Sequence, residues 1–157
     1  MQEVEVKIKI EDGAVVKEAL KKAGAKFVGV THEINYILYH HKGKLLRLRK
    51  DEHGFLLTYK GKKKKSQFRS RKEFNFKILG FIGYFVFWFK PKKIYNKLRE
   101  TYHLNPANEI CIDKLPKLGN FLEIEAGNEK DVQEIIDRLG IKGEIITKSY
   151  LKLLDEI

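Results

Sequence analysis

The chain has 157 residues, 43% of them hydrophobic and 11% aromatic, enough apolar material for one domain with a core and too much for a disordered chain. Lysine and arginine outnumber aspartate and glutamate by 32 to 21, a formal net charge of +11, which favours an anionic ligand without separating nucleic acid from small phosphates. The single cysteine, Cys111, excludes a disulfide-stapled scaffold and a cysteine-based zinc site, and points to a reducing, cytoplasmic setting.

From Glu3 to Ile10 the chain alternates strictly, with Glu3, Glu5, Lys7 and Lys9 on one face and Val4, Val6, Ile8 and Ile10 on the other, so the N-terminus reads as a strand and not as a cleavable signal. Asp12 then caps a helix over Ala14 to Ala23 that Gly24 stops. Strands follow at Glu33 to Tyr39, Lys44 to Lys50 and Phe55 to Lys60, separated by turn residues. Lys62 to Lys65 form a basic loop that reads as a solvated hairpin tip. Alternation resumes over Phe68 to Lys77, Ile94 to Leu104, Glu109 to Lys114 and Phe121 to Ala126, giving about eight strands. Between the first two of these lies the aromatic run Ile78 to Phe89, shorter than the roughly 20 residues of a membrane-crossing helix; it reads as a covering element or a homodimer surface, with Trp88 in the core. Asn128 caps a helix over Lys130 to Leu139 ended by Gly140, and a last short helix is expected at Thr147 to Leu154. With no linker and no long-period repeat, residues 1–157 read as a single domain.

The polar faces of these strands carry more information than the apolar ones. They present Lys7, Lys9, Arg47, Arg49, Lys60, Arg71, Lys97 and Arg99, together with Glu3, Glu5, Glu73, Asp113, Glu123 and Glu125. In Glu3-Val4-Glu5 and Glu123-Ile124-Glu125 the two carboxylates of each doublet project on the same side about 6 to 7 Å apart, and like charges so placed resist joint ionisation unless a cation is near. If the strands close into a barrel with helices over its apolar exterior, these charges line the lumen, with roughly two more cations than carboxylates. One or two divalent ions on the glutamates would raise that excess to about the charge of a triphosphate. Arginine and lysine suit phosphate oxygens, and carboxylates suit Mg²⁺ or Mn²⁺. No Gly-x-x-x-x-Gly-Lys-Ser/Thr run is present, so phosphates must be gripped by side chains. The five histidines lack ligand spacing and read as surface or turn residues, and Tyr36 reads as packing.

In these residues the chain resembles the CYTH family, also called triphosphate tunnel metalloenzymes, which includes class IV adenylyl cyclases and thiamine and inorganic triphosphatases. The opening Glu3-Val4-Glu5-Val6-Lys7 is followed, in the family's order, by Leu46-Arg47-Leu48-Arg49, Thr58-Tyr59-Lys60, Ser70-Arg71-Lys72-Glu73, Lys97-Leu98-Arg99, Asp113, Leu118 to Glu125 and the closing Ser149-Tyr150-Leu151. The resemblance implies an α+β fold, an eight-stranded antiparallel closed β-barrel or tunnel with helices packed outside. It also implies metal on Glu3, Glu5, Asp113, Glu123 and Glu125, phosphates on Lys7, Lys9, Arg47, Arg49, Lys60, Arg71, Lys97 and Arg99, and catalysis by Lys7, Glu5 and Glu125. Asn75 departs from the second acidic residue that many members place after Glu73, which sets Glu73 outside the carried-over site. Only two residues precede Glu3, so the His-Phe lead-in of some cyclase members is absent.

The reading that follows is metal-dependent hydrolysis of a small-molecule triphosphate. The alternative on the same scaffold is conversion of ATP to cyclic AMP and pyrophosphate. A basic module binding RNA or triphosphorylated 5′ ends is the alternative from another class, suggested by the net charge and opposed by the glutamate doublets.

Overall fold

The computed structural model describes residues 2–62, 69–79 and 90–157, with backbone only at 2, 3 and 69–72. Nine strands form one antiparallel sheet: β1 (Gln2–Ile10), β2 (Lys26–His41), β3 (Lys44–Asp51), β4 (Gly54–Lys60), β5 (Arg69–Ile78), β6 (Lys93–His103), β7 (Glu109–Leu115), β8 (Gly119–Ala126) and β9 (Glu144–Ile145). Their order is β5-β4-β3-β2-β6-β7-β8-β1-β9, and β1 pairs in addition with β5, through Gln2 to Glu5 against Lys72 to Arg69. The ninth strand was not expected from the sequence. Its two residues are too few to show alternation, and only their pairing with Ile8 and Lys9 makes them a strand. Strand β2 begins seven residues earlier than the Glu33 start read from periodicity. That added stretch contains a register shift between Phe27 and Gly29 and leaves Phe27, Val28 and Val30 exposed, so no clean alternation marks it. Lys63 to Lys65 of the basic loop, and all but Ile78 and Leu79 of the aromatic run, lie outside the described residues.

Among the described residues three helices, α1 (Gly13–Lys22), α2 (Glu129–Leu139) and α3 (Tyr150–Asp155), begin where the sequence supplies a cap. Asp12 accepts a hydrogen bond from Ala14 N at 2.8 Å, and Asn128 accepts one from Asp131 N at 2.9 Å. Gly140 ends α2 in the left-handed conformation at φ 60, which glycine adopts without steric cost. Helix α3 starts at Tyr150, three residues later than periodicity suggests, because Ser149 is its cap and accepts from Lys152 N at 3.3 Å.

The alternation of β1 divides the molecule into an apolar and a charged side. Val4, Val6, Ile8 and Ile10 join Ile110, Ile112, Leu122 and Ile124 in one buried cluster with Val16 and Leu20 of α1 and Val132, Ile135 and Leu139 of α2. Each such side chain contributes about 1.5–3 kcal/mol by leaving water, so this face fixes which side of β1 meets the helices. The opposite face is left to the charged residues. A smaller cluster of Tyr36, Leu48 and Phe55 braces β2 to β4, with Tyr36 serving as packing.

The segment after α2 returns to β1 closely: Ile146 N donates to Lys7 O at 2.7 Å. Gly143 makes that approach possible. A Cβ there would stand 2.5 Å from Ile8 Cγ2 and 2.6 Å from Lys9 O, whereas at Gly127 nothing lies within 4 Å. Gly143→Ala should therefore cost about 1–3 kcal/mol in urea unfolding, as overpacking against backbone does, while Gly127→Ala should leave the midpoint nearly unchanged.

Candidate active site

Antiparallel register sets the site, because it places acid opposite base along neighbouring strands. Lys7 faces Glu123 and Glu5 faces Glu125 across β1 and β8. Glu33 faces Lys97 across β2 and β6, Arg99 faces Asp113 across β6 and β7, and Lys60 faces Glu73 across β4 and β5. These positions enclose a cavity of about 290 Å³. Six cations line it, Lys7, Arg47, Arg49, Lys60, Lys97 and Arg99, with five carboxylates, Glu5, Glu73, Glu109, Glu123 and Glu125. Asn75, Tyr95 and Tyr150 complete its polar wall.

Two further carboxylates lie behind the wall and hold its cations in place. Glu33, 1% exposed, contacts Arg49 at 3.2 Å, Lys97 at 3.3 Å and Arg99 at 3.7 Å. Burial alone would raise its pKa, but Lys97, Arg99, Arg49 and Arg47 together pull it down to about 2. Asp113 is fully buried. Its Oδ1 accepts from Arg99 Nε at 2.7 Å, and its Oδ2 accepts from Arg99 Nη2 at 2.7 Å, Lys97 Nζ at 3.0 Å and the Tyr150 hydroxyl at 2.9 Å. Glu123 is held similarly, by Lys7 at 3.1 Å and by Arg99. Arg99 thus bridges the middle of the site, and its own pKa is raised because Asp113 and Glu123 outweigh the burial that opposes its charge.

The arginines of β3 each keep one donor unmet, although Arg49 also pairs with Glu33 through Nη1. Both Nε atoms of Arg47 and Arg49 are buried and have no hydrogen-bond partner among the described residues. A donor buried in that condition costs about 1–3 kcal/mol, and an anion in the cavity would supply the missing acceptor.

Glu5 and Glu125 are the complementary feature. The pKa of Glu125 is raised, first by burial and then by the negative charge of Glu5 opposite it. Two carboxyl groups in that relation suit a hard cation, which relieves their repulsion. The donor set therefore fits Mg²⁺ or Mn²⁺, with Glu5 and Glu125 as holders. Among the described residues no three acidic, His or Cys side chains already converge as a metal cluster, and the Glu3 side chain lies outside those described.

Most residues expected from the sequence meet at this cavity, with two corrections. Asp113 stands outside its lining: its oxygens accept from Lys97, Arg99 and Tyr150, which makes it an anchor for cations behind the wall. Lys9 is exposed and borders a separate surface depression, because its register partner is Phe121, which packs on Tyr150 where the cavity ends. Glu3 and Arg71 face each other across β1 and β5, their side chains outside the described set. Glu73 does belong to the wall, paired with Lys60, and Asn75 beside it accepts from the Thr58 hydroxyl at 2.7 Å. Glu33, Tyr95 and Glu109 are additions. Glu33 and Asn35 occupy the polar phase of β2 just as Arg47 and Arg49 do on β3, and that phase was the readable signal. With Glu33 and Glu109 counted and Lys9 removed, the described carboxylates outnumber the cations around the cavity, reversing the excess expected from sequence.

The description "CYTH domain" belongs to a family model that matches residues 1–150. A Methanocaldococcus jannaschii protein named "Putative adenylate cyclase" is 35% identical over 98% of each chain. The solved PH1012 protein of Pyrococcus horikoshii OT3 is 26% identical over 96% of this chain and 98% of that one, with a TM-score of 0.82. A Hippeastrum structure whose title gives a "putative adenylyl cyclase" with a dominant triphosphatase activity shares the fold at TM-score 0.74 and 15% identity, over 98% and 95% of the two chains.

The buried acid Glu33 generates a pH prediction. Its folded-state pKa lies below the ordinary 4.5, so its contribution is complete above that value and is lost as pH falls from about 4.5 towards about 2. Glu33→Gln should flatten this acid limb of stability, measured by unfolding across that range. At neutral pH it should destabilise by about 3–5 kcal/mol, the cost of breaking a buried charge set by removing one partner.

Proposed function

This chain belongs to the CYTH domain family, and on that footing we propose that it hydrolyses a triphosphate-containing small molecule in a divalent-metal-dependent reaction. The observation that carries the reading is the pairing, in one cavity, of two arginines with unmet buried donors and a facing pair of carboxyl groups that favours a cation. We read the additional β1–β5 pairing as closing the eight long strands into a ring around that cavity, which supports the tunnel implied by the resemblance.

In this reading Arg47, Arg49, Lys60 and Lys97 bind the phosphate chain, and the acids behind them hold these cations in position before the ligand arrives. Glu5 and Glu125 would hold Mg²⁺ or Mn²⁺, which when bound would supply charge neutralisation and polarisation of the phosphoryl group. A water oxygen bonds to the terminal phosphorus, the bond from that phosphorus to its bridging oxygen breaks, and the bridging oxygen leaves with the electron pair. The proton of the water passes to a carboxylate oxygen of Glu125, which stands in the cavity wall. Lys7, buried at the junction of β1 and β8, stabilises the charge that gathers on the leaving phosphate.

Cyclisation of ATP is the second reading, favoured by the name of the Methanocaldococcus relative. The two differ in the atom attacked, the terminal phosphorus for hydrolysis and the α-phosphorus for cyclisation.

Incubation with ATP, thiamine triphosphate or tripolyphosphate, with Mg²⁺ or Mn²⁺ and with chelator, followed by resolution of products, tests the proposal. Orthophosphate should appear only with metal; cyclic AMP and pyrophosphate without orthophosphate would overturn it. In the hydrolytic assay Arg49→Ala should raise KM about 10- to 100-fold through lost charge-assisted hydrogen bonds. Glu125→Gln should lower kcat by about 100-fold or more while the protein still unfolds cooperatively.

A further inference from the structure

Tyr150 stands at the first turn of α3 and lines the cavity, yet it is neither a plain core residue nor a charged ligand group. Lys7 Nζ lies over its ring, 3.6 Å from the centroid, and Lys97 Nζ is 5.7 Å from the same centroid. Its hydroxyl donates to Asp113 Oδ2 at 2.9 Å, and its ring packs edge-on against Phe121 at 5.2 Å. One side chain therefore touches the lysine of β1, the lysine of β6 and the acid of β7. A lysine stem has four rotatable bonds, and a carboxylate constrains only its tip; an aromatic face against the desolvated ammonium adds a second constraint from another direction.

We propose that Tyr150 is a positioning residue of the phosphate site: its ring fixes the Lys7 ammonium and its hydroxyl fixes Asp113, so that Lys7 and the Lys97–Arg99 pair are set at a constant separation before the phosphate chain binds. This rests on the functional reading above and names a residue that acts through others. The phenol is suited to the task because burial, with Glu123 and Asp113 nearby, pushes its pKa well above 10 and keeps it a neutral donor. The same contacts explain why α3 begins at Tyr150: the Ser149 cap sets the first turn so that this ring, and not a solvent-facing side chain, enters the site.

Tripolyphosphate binding by calorimetry, with and without Mg²⁺, tests the proposal on wild type, Tyr150→Leu, Tyr150→Phe and the same changes in a Lys7→Met background. Tyr150→Leu should weaken binding about tenfold, Tyr150→Phe should recover all but about threefold, and Tyr150→Leu should add little once Lys7 is gone. Undiminished binding by Tyr150→Leu, or an equal loss with and without Lys7, would overturn the proposal. Failure of wild type to bind or cleave any triphosphate would instead overturn the functional reading on which it rests. Should Tyr150→Leu not fold, proton NMR of wild type decides: the Lys7 methylene next to the ammonium should resonate upfield from the ring current, and an ordinary shift would sink the assignment.

Discussion

The site depends on inward register. Because side chains alternate with a period of two, the same strand positions that drive Val4, Val6 and Ile8 against α1 and α2 drive Glu5 and Lys7 to the other side. A slip of one residue in β1 would place two charges in the apolar cluster and three aliphatic side chains in the cavity. The hydrophobic burial of one face therefore specifies the electrostatics of the other, and the acid–base pairs across β1–β8, β2–β6 and β6–β7 are its product.

Charges arranged in this way cost free energy to bury unless each finds partners, and the molecule shows where that condition is met and where it is not. Arg99, Lys97, Asp113 and Glu33 form a mutually ion-paired set, with a single guanidinium touching acids from β2, β7 and β8. Arg47 and Arg49 retain unmet donors, and Glu5 and Glu125 oppose one another. The ion-paired set is a scaffold, while the unmet Arg47 and Arg49 donors favour an anion and the mutual repulsion of Glu5 and Glu125 favours a cation. With carboxylates in the majority among the described side chains, a polyanion and its cations fit better together than the polyanion alone.

Much of this was readable in the chain. The alternation of β1 and β8, the doublets at Glu3-Val4-Glu5 and Glu123-Ile124-Glu125, and the Arg47–Arg49 and Lys97–Arg99 pairs each show which face a residue occupies. What alternation does not show is depth. Asp113 and Lys9 share the inward phase with true wall residues, yet one is covered by its own ion pairs and the other emerges beyond Phe121. Glu33 shows the converse: one isolated acid on a long strand carries no doublet or motif, and its importance arises only when β6 brings Lys97 and Arg99 against it. Tyr150 was visible as part of a closing motif, but its contacts come from a helix cap and four distant strands, which no local pattern encodes.

Strand β1 occupies a peculiar place in chain order. It precedes all of its partners in the sequence: Glu5 pairs with Arg69 of the mid-chain β5 and with Glu125 of β8, and Ile8 with Ile145 of β9. Contacts separated by most of the chain carry a high loop-closure cost and slow folding. Until β8 and β9 dock, the edges of β1 that they cover are open, and the alternating charges of Glu5 and Lys7 discourage its association with other strands. The charged alternation that lines the cavity thus also opposes stray strand pairing while folding is incomplete.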